Sequence, residues 1–422
     1  MGDLLVSRWK FEADLAKSNK DWIIGIELMW MRHSYDGSAK LHAMNALPDT
    51  MHAVHLIGHG GFDMLEYRTD VPVPVPAPHQ LLVKVGAAGV NNTDINTRIG
   101  WYAKEVTSGT AEADLGGSEA TKTADADLGG SPSEIEGGWD GALSFPRIQG
   151  ADMSGTVVAV GSEVSRDRLG ERVLVRSMQT AGCSDPTGCE TIGSEFDGGF
   201  AQFCAVDATE AFPVASALTD VELASFPCAY STAEGMLHKI GLCEHGRVGE
   251  RVLITGASGG VGSAAIQLAK RRGAEVVAVA SKAKWPDLEP LGADQLVDRN
   301  VDLVAEFGEE SFDVIVDVVA GPGFGALLDI SRRQGRYVTS GAIAGPIVEL
   351  DVRTLYLKDL TLAGSTRQPR VVFENLVRYI EDGDIIPVVA NTYPLSEVVN
   401  AQTDFLEKKF AGKLVLVPPR TD

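Results

Sequence analysis

Three glycines that follow a short apolar run, Gly256, Gly259 and Gly262 in VLITGASGGVG, have the spacing that lets a backbone turn tightly and approach a diphosphate. A helix starting inside this run presents unpaired N–H groups and the positive end of its dipole to the same point. The chemistry on offer is the holding of an anionic dinucleotide against Gly259, Gly260, Val261 and Gly262. The flanks agree with this: residues 251 to 255 read as a buried strand, 264 to 269 begin a helical pattern, and EVVAVA at 275 to 280 supplies the next strand. A second reading stands beside it, an α/β turn that needs glycine only for packing helix on strand.

The end of the second strand bears on which nucleotide would bind. An NAD site places an Asp or Glu there, whereas this chain has Ala280, Ser281, Lys282 and Lys284. The additional phosphate of NADP is attracted by lysines and repelled by a carboxylate, so NADPH is expected over NADH. The alternative is that these lysines face solvent at an ordinary helix start. Gly292 and Asp298 read as terminators of local elements.

Elements must position these residues, and their pattern changes along the chain. From residue 249 onward, strands at 251 to 255, 275 to 280, 314 to 319 and 336 to 341 alternate with helical stretches, the grammar of a doubly wound parallel sheet of the Rossmann type. Before it, short strand candidates at 52 to 57, 80 to 90, 156 to 161 and 171 to 175 predict a mostly β domain, with VPVPVPAP at 71 to 78 as an extended connector. VVFENLVRYIEDG at 371 to 383 predicts a helix ending at glycine, and KLVLV at 413 to 417 a strand returning to the first domain. Around 103 to 140 the fragment ADLGG occurs twice and large apolar residues are few, which predicts an acidic loop insertion.

A chain of 422 residues is long enough for two domains with cores of their own. Its 37 basic and 58 acidic residues give a net charge of -21, which disfavours nonspecific attraction to nucleic acid or to an anionic membrane surface. The longest uncharged run, 252 to 269, contains four glycines and changes from strand to helix character, so no membrane span is expected. Five cysteines, none in a CxxC pair, predict a reducing, cytoplasmic setting. The first fifty residues are unlike a secretory leader and read as an extension.

Several motifs together point further: GVNNTD at 89 to 94, GADMSG at 150 to 155, GERV at 170 to 173, GGFAQF at 198 to 203, the GASGGVG turn, and YLKDLTLAGST at 356 to 366. With these, the chain over 51 to 418 resembles the medium-chain dehydrogenase/reductase superfamily, especially its quinone oxidoreductase and enoyl reductase branch, which shares a general pattern with zinc-binding alcohol dehydrogenases. The resemblance implies an α/β protein in which a GroES-like, mostly β catalytic domain clasps a Rossmann domain, with catalysis in the cleft between them. It divides the chain into the extension at 1–50, the catalytic domain at 51–227, the NADP-binding domain at 228–370 and a C-terminal return to the catalytic domain at 371–422. It further implies that Thr232 lies near the nicotinamide, that Ser340, Gly341 and Ala342 contact its far side, and that two copies pair as a homodimer by extending the Rossmann sheet.

Zinc-dependent members carry a cysteine where this chain has Asn91, a histidine where it has Ala151, and often a cysteine at Cys228; only the last is kept. Catalytic zinc takes three protein ligands and an open position, so no metal is expected, and only Asp94 and Asp152 would offer a rebuilt carboxylate site. Cys183 and Cys189 do not complete a structural zinc site. The expected reaction is transfer of a hydride from NADPH to an activated C=C bond, in an enone or enoyl thioester, or to a quinone. Asn91 carries a neutral amide suited to orienting substrate or cofactor, and Tyr102 carries a hydroxyl that would donate the proton or else pack on a sheet rim. Asp94 is read as an orienter of backbone, and Arg147 and Arg367 either meet a phosphate or lie on the surface. The alternatives are a zinc-dependent alcohol dehydrogenase and a noncatalytic NADPH-binding sensor or structural protein.

Overall fold

The structure is a computed structural model that describes residues 47–110, 136–138, 141–179 and 190–420. Residues 1–46, expected as an extension, most of the acidic insertion, and Cys183 and Cys189 lie outside the described residues.

From residue 49 the chain first builds antiparallel sheets. Strands β1 (Thr50–Leu56) and β2 (Leu65–Pro72) form a hairpin, and β3 (Gln80–Val90) is the long strand at the centre of the following sheet. Helix α1 (Asn92–Ile99) follows β3 directly, and the short pieces β4 (Glu136–Gly138), β5 (Gly141–Ala142) and β6 (Arg147–Ile148) lead back to the sheet. Strands β7 (Ser154–Val160), β8 (Arg172–Val175), β9 (Phe203–Asp207) and β10 (Ala211–Pro213) complete this part. The core beneath them is filled by the inward-facing Leu82, Val83, Met153, Val157, Phe200 and Leu416.

Helix α2 (Pro227–Lys239) then crosses to a six-stranded, all-parallel sheet. Its parts in chain order are β11 (Arg251–Ile254), α3 (Gly260–Arg271), β12 (Glu275–Ala280), β13 (Gln295–Asp298), β14 (Phe312–Asp317), β15 (Ser331–Thr339) and β16 (Thr361–Gly364), and the spatial order is β13-β12-β11-β14-β15-β16. The order reverses between β11 and β14, the switch point at which open α/β sheets leave a crevice. Val252 and Ile254 on one face and Leu253 on the other are fully buried, so β11 is covered on both sides. Helix α4 (Arg370–Glu381) packs on α2, after which β17 (Val389–Pro394), α5 (Val398–Glu407) and β18 (Lys413–Val417) return to the first part. There β18 pairs antiparallel with β3, Leu414 opposite Val90. The expected strands at 80 to 90, 275 to 280 and 413 to 417 are found as read. The strands expected at 52 to 57, 156 to 161 and 251 to 255 end one residue earlier, and two others end two residues earlier: Val318 and Val319 lie past β14, and Ser340 and Gly341 past β15, which frees them to line the crevice. Among the described residues no helix is long and apolar enough to cross a membrane.

Candidate active site

The glycine turn occupies the crevice at the end of β11. Gly256 has φ of +58°, a left-handed conformation that glycine adopts without cost. Gly259 begins α3 in an extended conformation with no side chain capping the helix, so the first-turn N–H groups are left for a ligand. Gly262 has no room for a side chain: a Cβ there would sit 2.3 Å from the Gly256 carbonyl oxygen. Across the strand ends, Asp317 accepts hydrogen bonds from the Thr255 hydroxyl, from Tyr337 Oη at 2.6 Å and from Val319 N at 2.9 Å. This buried carboxylate ties the ends of β11, β14 and β15 together, and burial with the neighbouring Asp317 raises the Tyr337 hydroxyl pKa. The Tyr337 hydroxyl therefore stays a donor to Asp317. The residues fit a dinucleotide diphosphate.

At the end of β12 the lysines separate. Lys282 is exposed, 5.9 Å from the Trp285 ring centroid, while Lys284 turns inward, its Nζ 3.4 Å from Ser258 Oγ in the glycine turn and donating to the Lys408 carbonyl. Lys408, which the sequence reading missed, follows α5 in a left-handed conformation (φ +53°) and lays its ammonium 3.6 Å from the Phe405 ring centroid. Burial, and then the charge of Lys284, pull Lys408 down to about 7. Burial and Arg299 also lower Lys284. Lys284 thus reaches the glycine turn, and its charge and that of Lys408 oppose each other, an arrangement that an anion between them would relieve. Ser281 stands at the same strand end with no capping bond of its own. Asp298, the nearby carboxylate, is occupied by the N–H of Asn300 at 2.9 Å.

A second centre lies where β3, α2 and β18 meet. Asn91 caps α1, and its backbone N–H is taken at 2.8 Å by Asp94, whose other oxygen receives Gly150 N at 3.2 Å. Burial pushes the Asp94 carboxyl up to about 7, against the Asn91 N–H that favours its charged form. Asp94 thus orients backbone, as read. Replacing it by Asn puts an NH2 against one of these N–H groups and is expected to cost about 1–3 kcal/mol in denaturant unfolding; an unchanged midpoint would show that the capping box carries no stability.

The Asn91 side chain is fully engaged. Its Nδ2 donates to Asp152 Oδ2 at 2.8 Å and to the Gly89 carbonyl at 3.3 Å, and its Oδ1 accepts from Lys413. Lys413 Nζ also meets Asp152 Oδ2 at 2.8 Å and the Val90 carbonyl at 2.9 Å. Asp152 Oδ1 takes the N–H of Cys228 at 2.6 Å, in the first turn of α2. Asn91 is thus buried, with both ends of its amide bound within the protein. Burial, followed by Asp152, pushes the Cys228 thiol up to about 12.

A small cavity of about 20 Å³ opens in front of Cys228, lined by Thr93, Ala151, Ser177, Ser231 and Thr232. Tyr102 Oη donates to Thr93 Oγ1 at 3.0 Å, which places the tyrosine one hydroxyl away from this cavity. Ser340 Oγ bonds the Ser365 carbonyl, and a Cβ on Gly341 would lie 3.3 Å from the Val318 carbonyl oxygen, so the segment of Ser340, Gly341 and Ala342 lies beside the end of β14. Arg147 pairs with Asp197 at 2.9 Å and stands apart from these groups. Arg367 and Gln368 border a larger open groove beyond Arg176.

The residues at the position of a catalytic zinc do not fit that metal. Ala151 offers no donor, Asn91 Oδ1 already accepts from Lys413, and Asp152 is held by the Lys413 ammonium, the Asn91 amide and the Cys228 N–H, which leaves Cys228 as the one thiol where zinc takes three protein ligands. Among the described residues no group of three or more His, Cys, Asp or Glu is placed to hold a metal ion.

Two family models match the chain: the alcohol dehydrogenase GroES-like domain over residues 77–216 and the zinc-binding dehydrogenase over residues 260–382. A solved structure of a protein named as an alcohol dehydrogenase from Sinorhizobium meliloti 1021 is 46% identical, with a TM-score of 0.76 over 90% of this chain and 100% of that one. The chain belongs to the medium-chain dehydrogenase/reductase superfamily. Within this superfamily of oxidoreductases it is similar to quinone oxidoreductase of Mus musculus, 26% identical over 87% of this chain and 98% of the relative. It is also similar to the 2-octenoyl-CoA carboxylase reductase of a Streptomyces species, solved in complex with NADP and 2-octenoyl-CoA: 26% identity, TM-score 0.71, 89% of this chain and 90% of that one. The GroES-like domain and parallel Rossmann sheet expected for the superfamily are those of the structure.

Proposed function

We propose that this superfamily member is a metal-independent, NADPH-dependent reductase of activated C=C bonds, in enones or enoyl thioesters, or of quinones. The observation that carries the reading is the Asn91–Asp152–Lys413 network, in which the chain's own ammonium is bound to both side chains at the place of a catalytic metal. NADPH, when bound, supplies the hydride. The glycine turn holds the diphosphate, with Lys284 and Lys408 against the 2′-phosphate. Thr232, Ser340, Gly341 and Ala342 border the nicotinamide end. The Tyr102–Thr93 pair delivers a proton from the rim of the cavity to the oxygen where negative charge develops, or to the α carbon, and Asn91 holds the wall behind. The exposed Ile347, Val352, Tyr356 and Leu357 precede β16, the sheet edge on which a second copy would pair. The thiols of Cys204, Cys228 and Cys243 are free, which suits a reducing cytoplasm.

Anaerobic mixing of the protein with NADPH and a panel of enones, enoyl thioesters and quinones is expected to give acceptor-dependent loss of the NADPH absorbance that chelators leave untouched. Saturable NADPH binding with no oxidation across the panel would favour a noncatalytic sensor. Activity abolished by chelation and restored by zinc would favour the alcohol dehydrogenase.

A further inference from the structure

Lys413 stands at a junction of three elements. Its ammonium has three N–H donors, and three acceptors meet it: the Val90 carbonyl, Asn91 Oδ1 and Asp152 Oδ2. The side chain is 3% exposed and that of Asp152 fully buried, so the pair is sealed from water. On its other side, the lysine stem runs along the start of α3: a Cβ on Gly260 would lie 2.8 Å from Lys413 Cδ. The backbone joins the same turn, because Gly412 N donates to the Ser258 carbonyl at 3.0 Å and Gly412 pairs with Gly259 in a parallel bridge. Through Asp152, which accepts the Cys228 N–H, the ammonium also fixes the first turn of α2, one turn before Thr232. One side chain thus joins the diphosphate turn, the asparagine behind the cleft and the helix that carries Thr232.

We infer that Lys413 is a positioning residue for the reductase reaction: it serves as the fixed internal cation that sets Asn91 and the start of α2 against the diphosphate turn. This inference rests on the reductase reading above. A buried ion pair is by itself weak evidence of net stabilisation, because desolvation offsets the attraction. What the pair supplies is geometry, three hydrogen bonds that leave Asn91 and Asp152 one arrangement each.

The test compares Lys413→Met, Asp152→Asn and the double variant in the full chain. Readouts are the thermal midpoint without cofactor, the emission of bound NADPH, and kcat against the KM for NADPH. Lys413→Met alone leaves a buried carboxylate uncompensated and is expected to lower the midpoint, whereas the double variant, with both charges removed, recovers it. The double variant is nevertheless expected to keep an altered emission of bound NADPH and a kcat lowered about tenfold or more, with a smaller change in KM. A double variant that regains the midpoint, the wild-type emission and the wild-type kcat together would reduce Lys413 to a counter-ion of Asp152 and overturn the inference. Failure of the wild type to turn over any acceptor defeats the reductase reading instead. The emission and midpoint arms then still decide the role of Lys413.

Discussion

Replacing Lys408 by Met is expected to weaken NADPH binding about thirtyfold while leaving NADH binding nearly unchanged, and Lys284→Met to act in the same direction. A hydrogen bond between ionised partners is worth about 1.5–3 kcal/mol, and about 2 kcal/mol is a factor of roughly thirty in Kd. The Lys284 ammonium lies 3.4 Å from Ser258 Oγ in the glycine turn, its charge acts on the Lys408 ammonium over Phe405, and Arg299 and Asp287 act on Lys284 with opposite signs. The pH dependence carries a sign. Lys408 titrates at about 7 in the free protein, because burial and Lys284 disfavour its charge. A phosphate favours the charged form, so NADPH binding takes up a proton near neutrality and affinity falls as pH rises through about 7. Lys408→Arg, whose guanidinium stays charged, flattens that dependence. Fluorescence titration with both reduced nucleotides across this pH range checks the expectation; equal losses for NADH and NADPH would remove the 2′-phosphate from this position.

The parts of this site that local pattern could reveal were those whose neighbours in space are also neighbours in sequence. The glycine turn, the carboxylate-free end of β12 and the strands at 80 to 90 and 413 to 417 each depend on a short run of residue types. The resemblance added Asn91, Ala151 and Cys228 as the residues that decide the metal question. What remained hidden depends on pairing across the chain. Lys413 lies 322 positions from Asn91 and 261 from Asp152, and only the antiparallel seating of β18 on β3 brings its ammonium to them. In sequence it is an ordinary lysine opening an apolar strand. Lys408 is hidden for the same reason, as one of two adjacent lysines after a helix until Gly412 docks on the glycine turn. Asn91 illustrates the limit from the other side. Its residue type suggested a group free to meet substrate, and whether an amide is free depends on partners that no local pattern records.

The glycines of the turn are unequal, and substitution should rank them. Alanine at Gly262 is expected to be the most damaging, because its Cβ would lie 2.3 Å from the Gly256 carbonyl oxygen and 2.6 Å from Ala257 Cα. Both are backbone atoms, so no side chain can swing away and α3 must lift from the turn. Overpacking of this kind costs about 1–3 kcal/mol, and the displaced helix start no longer aims its N–H groups at the diphosphate. Saturable NADPH binding should be lost while the protein remains folded. Gly256→Ala is expected to be intermediate: its left-handed φ of +58° costs a non-glycine residue about 1–2 kcal/mol, but the atom it meets, at 2.9 Å, is a Val318 methyl that can turn. Gly259→Ala should be mildest for the free protein, since that residue is extended and its Cβ would meet only the Gly256 carbonyl oxygen at 3.5 Å. The loss of a good helix-capping residue leaves a cost of about 0.5–1 kcal/mol. Any larger effect of Gly259→Ala on NADPH binding than on the thermal midpoint would then measure how closely the diphosphate approaches that backbone. A Gly262→Ala variant that melts and binds as the wild type does would show that the turn is not held as described, and the dinucleotide assignment would lose its geometric basis.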